Sequence, residues 1–129
     1  MATLNRCEFI GRLGQEPEMN VTPGGKAVTR FSLAVDKGKD EQGNKRPPLW
    51  LTIICWEKLA ERTNLLLYKG AEVFVAGRFE PRTYIGSKDK KEHIALDIIA
   101  SDVQLLSKPK NSSAYTGEDE APGDLELQA

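Results

Sequence analysis

The sequence predicts an all-β domain, a five-stranded Greek-key barrel with one helix between the third and fourth strands. Two observations predict this fold class. Apolar residues alternate with polar ones at a period of two in several segments, which is typical of strands that bury one face. One segment, residues 57–69, instead has the period of an amphipathic helix. A chain of 129 residues is long enough for one such domain with a tail.

The first two strands are predicted from residues 6–14 and 27–35. In the first, Gly11 indicates a bulge or a sharp bend, because glycine inside a strand packs no side chain. A loop with the sequence Thr-Pro-Gly-Gly at residues 22–25 separates the two strands. The second strand alternates over its whole length, and a hydrophilic loop follows it at residues 36–48.

The third predicted strand, residues 49–56, carries two tryptophans on one face. Period two places Trp50, Thr52, Ile54 and Trp56 together, with Leu51, Ile53 and Cys55 on the opposite face. The two indoles would lie about 20 Å apart along this strand. An exposed aromatic ring can stack an unpaired base, a contact worth about 1–3 kcal/mol for any base. The alternative is that both tryptophans are packed inside the protein.

The helix is predicted over residues 57–69, where Leu59, Thr63, Leu66 and Leu67 share one face. Lys69 and Gly70 then predict a cation in the last turn and a left-handed glycine cap. The fourth strand is predicted at residues 72–80 with a bend at Gly77, and the fifth at residues 93–106. A charged hairpin loop at residues 84–92 joins them. Phe9, Phe31 and Phe74 are expected in the core, whereas Phe79 fits either environment.

Charge divides the chain into a basic body and an acidic tail. All 18 lysines and arginines lie between residues 6 and 110, alongside 14 acids, and five acids without a cation follow. This asymmetry is typical of a polyanion-binding domain with an interaction tail. We expect one domain at residues 1–107 and a disordered acidic tail at residues 108–129, which is rich in Pro, Ser and Gly.

The order of the predicted elements is that of an OB-fold, whose face and loops bind oligonucleotides or oligosaccharides. Six segments also resemble bacterial single-stranded DNA-binding proteins: residues 9–18, 22–28, 31–35, 56–61, 69–78 and 82–84. The resemblance covers almost the whole body, residues 5–106. It implies a homotetramer that wraps single-stranded DNA with little sequence preference during replication, recombination and repair.

The resemblance also implies the binding residues. Trp50, Trp56 and Tyr84 match the base-stacking aromatics of these proteins. Lys39 replaces a fourth aromatic, so it can pair with phosphate but cannot stack. Lys58, Lys69 and Arg82 match cations that line the DNA path, and Arg30 and Arg78 complete the candidate DNA-binding set. The lysines of the charged loop could form a backbone clamp or a solvated surface: Lys88, Lys90 and Lys91.

The C-terminus departs from the resemblance. Those proteins usually close with Asp-Leu/Ile-Pro-Phe, which docks replication and repair proteins, whereas this chain closes with Leu-Glu-Leu-Gln-Ala. Leu125 and Leu127 are the candidates for a substitute apolar hook. Replication and repair proteins remain expected partners through the acidic tail.

Other functional classes find little support in the sequence. His93 is the sole histidine, and no phosphate-binding glycine loop or Ser–His–Asp set is present, so neither an enzyme nor a cofactor is expected. An OB-fold nuclease and a primosome-type adaptor that acts through protein contacts are the alternatives. Cys7 and Cys55 lack metal-ligand spacing and no apolar run could span a membrane, so we expect a reduced, cytoplasmic bacterial protein.

Overall fold

The structure is a computed structural model that describes residues 2–108, and this part of the chain contains eight strands and one helix. Five strands form the barrel and three shorter ones lie outside it. The elements are β1 (Cys7–Leu13), β2 (Glu18–Val21), β3 (Ala27–Val35), β4 (Leu49–Trp56), α1 (Glu57–Leu66), β5 (Glu72–Phe79), β6 (Arg82–Ile85), β7 (Glu92–Ala95) and β8 (Asp97–Leu105).

The barrel consists of β1, β3, β4, β5 and β8. Its strands follow one another in the order β1, β5, β8, β4 and β3, and β1 also pairs with β3, which closes the sheet. Closure occurs at the end of β1, where Arg12 pairs with Ala34 and Leu13 pairs with Leu33. Helix α1 connects the third and fourth barrel strands. The predicted five-stranded OB-fold is therefore confirmed.

The core fills the barrel from the inward-facing residues of each strand. The period of two places alternate side chains inside, and the innermost ones are fully buried, among them Leu33, Ile53, Val73, Val75 and Ile98. Phe31 lies in this core and Phe9 packs against it, as predicted.

The prediction for Phe74 was wrong. Its neighbours Val73 and Val75 fill the interior, so Phe74 faces the outside of the barrel, where it is half-buried. There it pairs in register with the exposed Ile10 of β1.

Two of the predicted strands match the structure at both ends. These are residues 27–35 and 49–56. The first and fourth barrel strands are each shorter than predicted by one or two residues. Strand β2 is absent from the prediction. Its sequence, Glu-Met-Asn-Val, does alternate polar and apolar residues, but the run is only four residues long and none of its side chains is buried.

The end of the helix also differs from the prediction. Helix α1 stops at Leu66, and Leu67 turns inward to fill the core. Lys69 and Gly70 belong to a separate turn in which the Ala71 backbone N–H donates to the Tyr68 carbonyl at 3.0 Å. Gly70 has the expected positive φ of 86° there, but it does not cap the helix.

The two strand glycines have different roles. Gly77 marks the predicted bend, because the register between β5 and β8 shifts between Ala76 and Gly77. Gly11 forms no bulge and pairs regularly with Val73. A side chain at Gly11 would instead run into the carbonyl group of Ala34, where the barrel closes.

The predicted charged loop and fifth strand are organised differently from the expectation. Residues 84–92 are mostly part of a β-hairpin in which β6 pairs with β7, and β8 begins only at Asp97. Tyr84 and His93 therefore lie on paired strands. Phe79, for which the sequence allowed either environment, is partly exposed at the end of β5. The predicted tail at residues 108–129 lies outside the described residues except for Lys108.

Candidate nucleic-acid interface

The outward face of β4 presents both tryptophans. Trp50 is 52% exposed and Trp56 is 38% exposed, whereas Leu51, Ile53 and Cys55 are buried in the core. The two tryptophans therefore face outward as predicted, although Ile54, which shares their face, is buried. The alternative in which both indoles are enclosed by the protein is wrong.

The indole of Trp50 packs against the backbone of Gly14, which has no side chain. A Cβ atom on Gly14 would lie 2.7 Å from Cζ3 and 2.9 Å from Cη2 of the indole. It would also lie 2.9 Å from the Ser32 hydroxyl. The cross-strand partner of Trp50 is the small Ala34. Small residues therefore surround this ring, which packs closely on the protein while half of its surface stays exposed.

Trp56 stands where β4 passes into α1. It is the last residue of the strand and the N-cap of the helix, with extended backbone angles and no side-chain cap. The next residue, Glu57, has a φ of 57°, which is rare for a residue with a side chain. This sharp turn lets α1 leave the sheet directly after Trp56.

Arg30 supplies a cation on the same outward face. It lies on β3 opposite Ile54, which sits between Thr52 and Trp56 on the outward face of β4. On its other side, Arg30 pairs in register with Glu18 of β2. Its side chain is exposed, so a cation lies beside the line that joins the two indoles.

The β6–β7 hairpin carries the third predicted aromatic. Tyr84 is 44% exposed and pairs across the hairpin with His93. The two rings are stacked, with centroids 5.4 Å apart and planes inclined by 25°. The guanidinium carbon of Arg82 lies 5.6 Å from the centre of the Tyr84 ring, within the range of a cation–π contact.

The tip of the hairpin is tied to the same rings. His93 Nε2 lies 2.9 Å from Asp89 Oδ2. The backbone N–H of Lys91 donates to Asp89 and, together with His93, holds the pKa of that carboxyl below its ordinary value. Lys90 adopts a φ of 56° in this turn. The turn is therefore ordered by its own hydrogen bonds, and its three lysines are exposed around it.

The root of the hairpin is joined to the barrel through Arg82. Its Nε donates to Asp97 Oδ2 at 2.8 Å, and only 6% of the Asp97 side chain is exposed. Ile53 and Ile98 pair in register and both lie in the core, so the adjacent pair Thr52 and Asp97 faces outward. Arg82 therefore attaches the hairpin to the same face that carries the indoles.

The remaining predicted cations lie on separate elements. Lys39 is exposed in the loop between β3 and β4, where its backbone bridges to Lys45. Lys58 is exposed in the first turn of α1, two residues after Trp56. Lys69 is exposed in the turn before β5. Arg78 on β5 is also exposed, and it forms an ion pair with Glu80.

The sequence does not predict three further residues of the candidate interface. It indicates Gly14 only as the end of a strand, His93 only as a lone histidine, and Asp97 only as part of an apolar strand. Asp97 does carry a signal, because an acid within the run Leu-Asp-Ile-Ile must be paired if that run is buried. The contact of Gly14 with Trp50 joins distant parts of the chain and has no local signature.

The described residues offer little for other chemistry. Within residues 2–108, no group of three or more His, Cys, Asp or Glu side chains is placed to hold a metal ion. In the same part of the chain, no helix is long and apolar enough to cross a membrane. Burial raises the pKa of the Cys55 thiol to about 11, which keeps this side chain protonated in the core.

Comparison with known proteins places this arrangement in a family. The model described as "Single-strand binding protein family" matches residues 4–106. The chain belongs to this family. Similar members include single-stranded DNA-binding protein 1 of Chlorobaculum tepidum, which is 35% identical over 89% of this chain and 72% of its own length. The single-stranded DNA-binding protein of Neisseria meningitidis is 35% identical over 94% of this chain and 70% of its own.

A solved structure shares the fold. The chain resembles a structure titled "Plasmodium falciparum SSB complex with ssDNA", with a TM-score of 0.68 and 24% sequence identity. The match covers 83% of this chain and 98% of the other. The barrel architecture is therefore common to both proteins.

Proposed function

We propose that this protein binds single-stranded DNA with little sequence preference and protects it during replication, recombination and repair. Bases stack on Trp50, Trp56 and Tyr84, while lysine and arginine side chains neutralise phosphates. The observation that carries the proposal is the outward face of β4, which leaves two indoles exposed beside a cation while its inner face fills the core. Family membership supports the same ligand.

The phosphate contacts are assigned to exposed cations. Arg30 stands beside the line of indoles, and the others are Lys39, Lys58, Lys69 and Arg78. No ion pair within residues 2–108 involves the first four of these, so their charges are available to a polyanion. Counterion release then makes the affinity fall with salt, with a log–log slope of about −0.7 per phosphate neutralised.

We further propose assembly into a homo-oligomer, most simply a tetramer, in the bacterial cytoplasm. Strand β1 pairs with β5 along most of its length but with β3 only at Arg12 and Leu13, which leaves part of one edge open. Ile10 on this strand is 53% exposed beside Phe74. An open edge with an apolar side chain is a ready surface for a second copy. The acidic tail at residues 108–129 is assigned to contacts with replication and repair proteins.

The test is a titration of intrinsic fluorescence with oligo(dT) at two salt concentrations. Bases that stack on the indoles quench tryptophan emission, and the affinity falls as salt rises. Trp50→Ala and Trp56→Ala should each lower the quench and weaken binding. Leu65→Ala is the matched control, because it removes an exposed apolar side chain from α1. Light scattering on the same samples gives the number of subunits.

Two results would contradict the proposal. Binding of duplex DNA as tight as that of oligo(dT) would show that unpaired bases are not recognised. Weak, salt-sensitive binding without quenching would instead support the alternative of an adaptor that acts through protein contacts.

A further inference from the structure

The ion pair at the root of the β6–β7 hairpin differs from the other arginine pairs of the described residues. Arg6–Glu8 and Arg78–Glu80 are each about half exposed on both sides. In the Arg82 pair, the arginine is 56% exposed while the side chain of Asp97 is almost fully buried. The second oxygen of that carboxylate, Oδ1, is buried without a hydrogen-bond partner among residues 2–108. Arg82 is therefore the only side-chain partner of the Asp97 carboxylate among residues 2–108.

Asp97 fixes the hairpin through its main chain as well. Its carbonyl oxygen accepts a hydrogen bond from the Glu80 backbone N–H at 2.8 Å. Glu80 and Arg82 flank Pro81, the residue at which the chain leaves β5 and enters the hairpin. Two hydrogen bonds to one residue of β8 thus hold the point at which the hairpin departs from the barrel.

From this anchor, contacts continue to the tip of the hairpin. Arg82 lies over Tyr84, Tyr84 stacks on His93, and His93 meets Asp89 in the turn. The Tyr84 ring is thus oriented before any ligand arrives. Preorganisation of a flat ring reduces the entropy lost when a base stacks on it.

We propose that Arg82 and Asp97 are positioning residues for Tyr84, and that Arg82 acts on DNA through this ring rather than through a phosphate. The inference rests on the proposed function and changes the role that the sequence assigned to Arg82. The Nε of Arg82 is engaged by Asp97 and its guanidinium lies over Tyr84. Its terminal N–H groups have no hydrogen bond among residues 2–108, so the proposal requires that the guanidinium keep its place over Tyr84 when DNA binds.

The two roles of Arg82 predict opposite changes in DNA affinity for Asp97→Asn. If Arg82 is a phosphate contact, loss of the neighbouring negative charge strengthens the binding of a polyanion. If Arg82 positions Tyr84, loss of the charge-assisted hydrogen bond loosens the ring and weakens binding. We expect Asp97→Asn to bind oligo(dT) about fivefold more weakly, the low end of a lost base stack.

The experiment measures oligo(dT) affinity of the full chain across a range of salt for wild type, Asp97→Asn and Arg82→Lys. Arg82→Lys keeps the charge but not the planar group, so we expect it to lose about as much affinity as Asp97→Asn. The salt slope should stay unchanged in both. In a Tyr84→Ala background, neither substitution should have a further effect. Glu8→Gln is the matched control, because it removes the acid of an exposed pair whose arginine, Arg6, is not assigned to DNA.

The outcomes separate this inference from the proposed function. Failure of wild type to bind oligo(dT) overturns the proposed function. Wild-type binding with equal or tighter binding by Asp97→Asn overturns the positioning role. The positioning role is also overturned if the log–log salt slope of an Arg82→Ala variant is smaller in magnitude by about 0.7, because one phosphate contact has then been lost. If a thermal unfolding scan shows that Asp97→Asn does not fold, the oligo(dT) affinity of Arg82→Lys tests the inference instead. The Arg82 side chain is 56% exposed, so its replacement should leave the fold intact.

Discussion

Substitution of Gly14 by alanine should weaken DNA binding without harming the fold. The added Cβ would lie 2.7 Å from Cζ3 of Trp50, and real Cβ atoms essentially never approach this closely. Gly14 is not among the glycines with positive φ, so its backbone accepts alanine. The atoms that must move are the outer edge of an exposed indole and the hydroxyl of Ser32. The barrel therefore tolerates the change, whereas Trp50 is displaced.

The magnitude follows from the stacking contact that is disturbed. A base stacked on an aromatic ring contributes about 1–3 kcal/mol. A shifted but still present ring should lose the lower part of this range, about 1 kcal/mol, or about fivefold in affinity. Stability should change by less than about 1 kcal/mol, because alanine also restricts the unfolded chain.

The assay is fluorescence titration with oligo(dT), combined with urea unfolding of each variant. Gly24→Ala is the matched control, because its added Cβ would meet only the Thr22 hydroxyl at 3.9 Å. In a Trp50→Ala background, Gly14→Ala should have no further effect on affinity. Unchanged affinity of Gly14→Ala, or a loss that simply adds to that of Trp50→Ala, would refute the reasoning.

Three further predictions concern stability. Gly77→Ala should destabilise the fold by about 1–3 kcal/mol in urea unfolding, because its Cβ would meet the main chain of Ile99 rather than a movable side chain. Thr29→Val should cost about 1 kcal/mol, measured as a lower Tm, since the buried Thr29 hydroxyl donates to the Ala60 carbonyl at 2.7 Å. Burial raises the pKa of Cys55 from 9.0 to about 11, so the folded state favours the neutral thiol. The buried thiol contributes about 2–3 kcal/mol to the free energy of unfolding, fully below pH 9, and this contribution is lost as the pH rises through 11. Cys55→Ala should therefore reduce the loss of stability between pH 9 and pH 11 when unfolding is measured against pH.

The sequence predicts the barrel well because burial leaves a periodic pattern. The predicted bounds of residues 27–35 and 49–56 agree with the structure at both ends. Core residues recur there at a period of two, although Val28 and Ile54 on the other face are buried as well. Strand β2 buries none of its side chains, and its alternation of Glu, Met, Asn and Val extends over only four residues. The predicted end of α1 is too late because Leu67 is buried although it lies beyond the helix, so burial continues where the helix has stopped.

The sequence predicts the site less completely than the fold. The two faces of β4 follow from period two alone, because the opposite face is apolar. The contacts that hold the aromatic rings are formed between distant segments, as between Gly14 and Trp50 or between Arg82 and Asp97. A single sequence contains no local pattern for such pairs. The resemblance therefore indicates Arg82 as a site residue but gives no sign of its partner.

Strand β4 separates two kinds of mutational sensitivity between its core-facing residues and its two tryptophans. Changes at Leu51, Ile53 and Cys55 act on the interior and should lower thermal stability. Under the proposed function, changes at Trp50 and Trp56 alter base stacking on the surface while the interior stays intact. Evolution can therefore retune the ligand preference of this protein at the ends of one strand without rebuilding its scaffold.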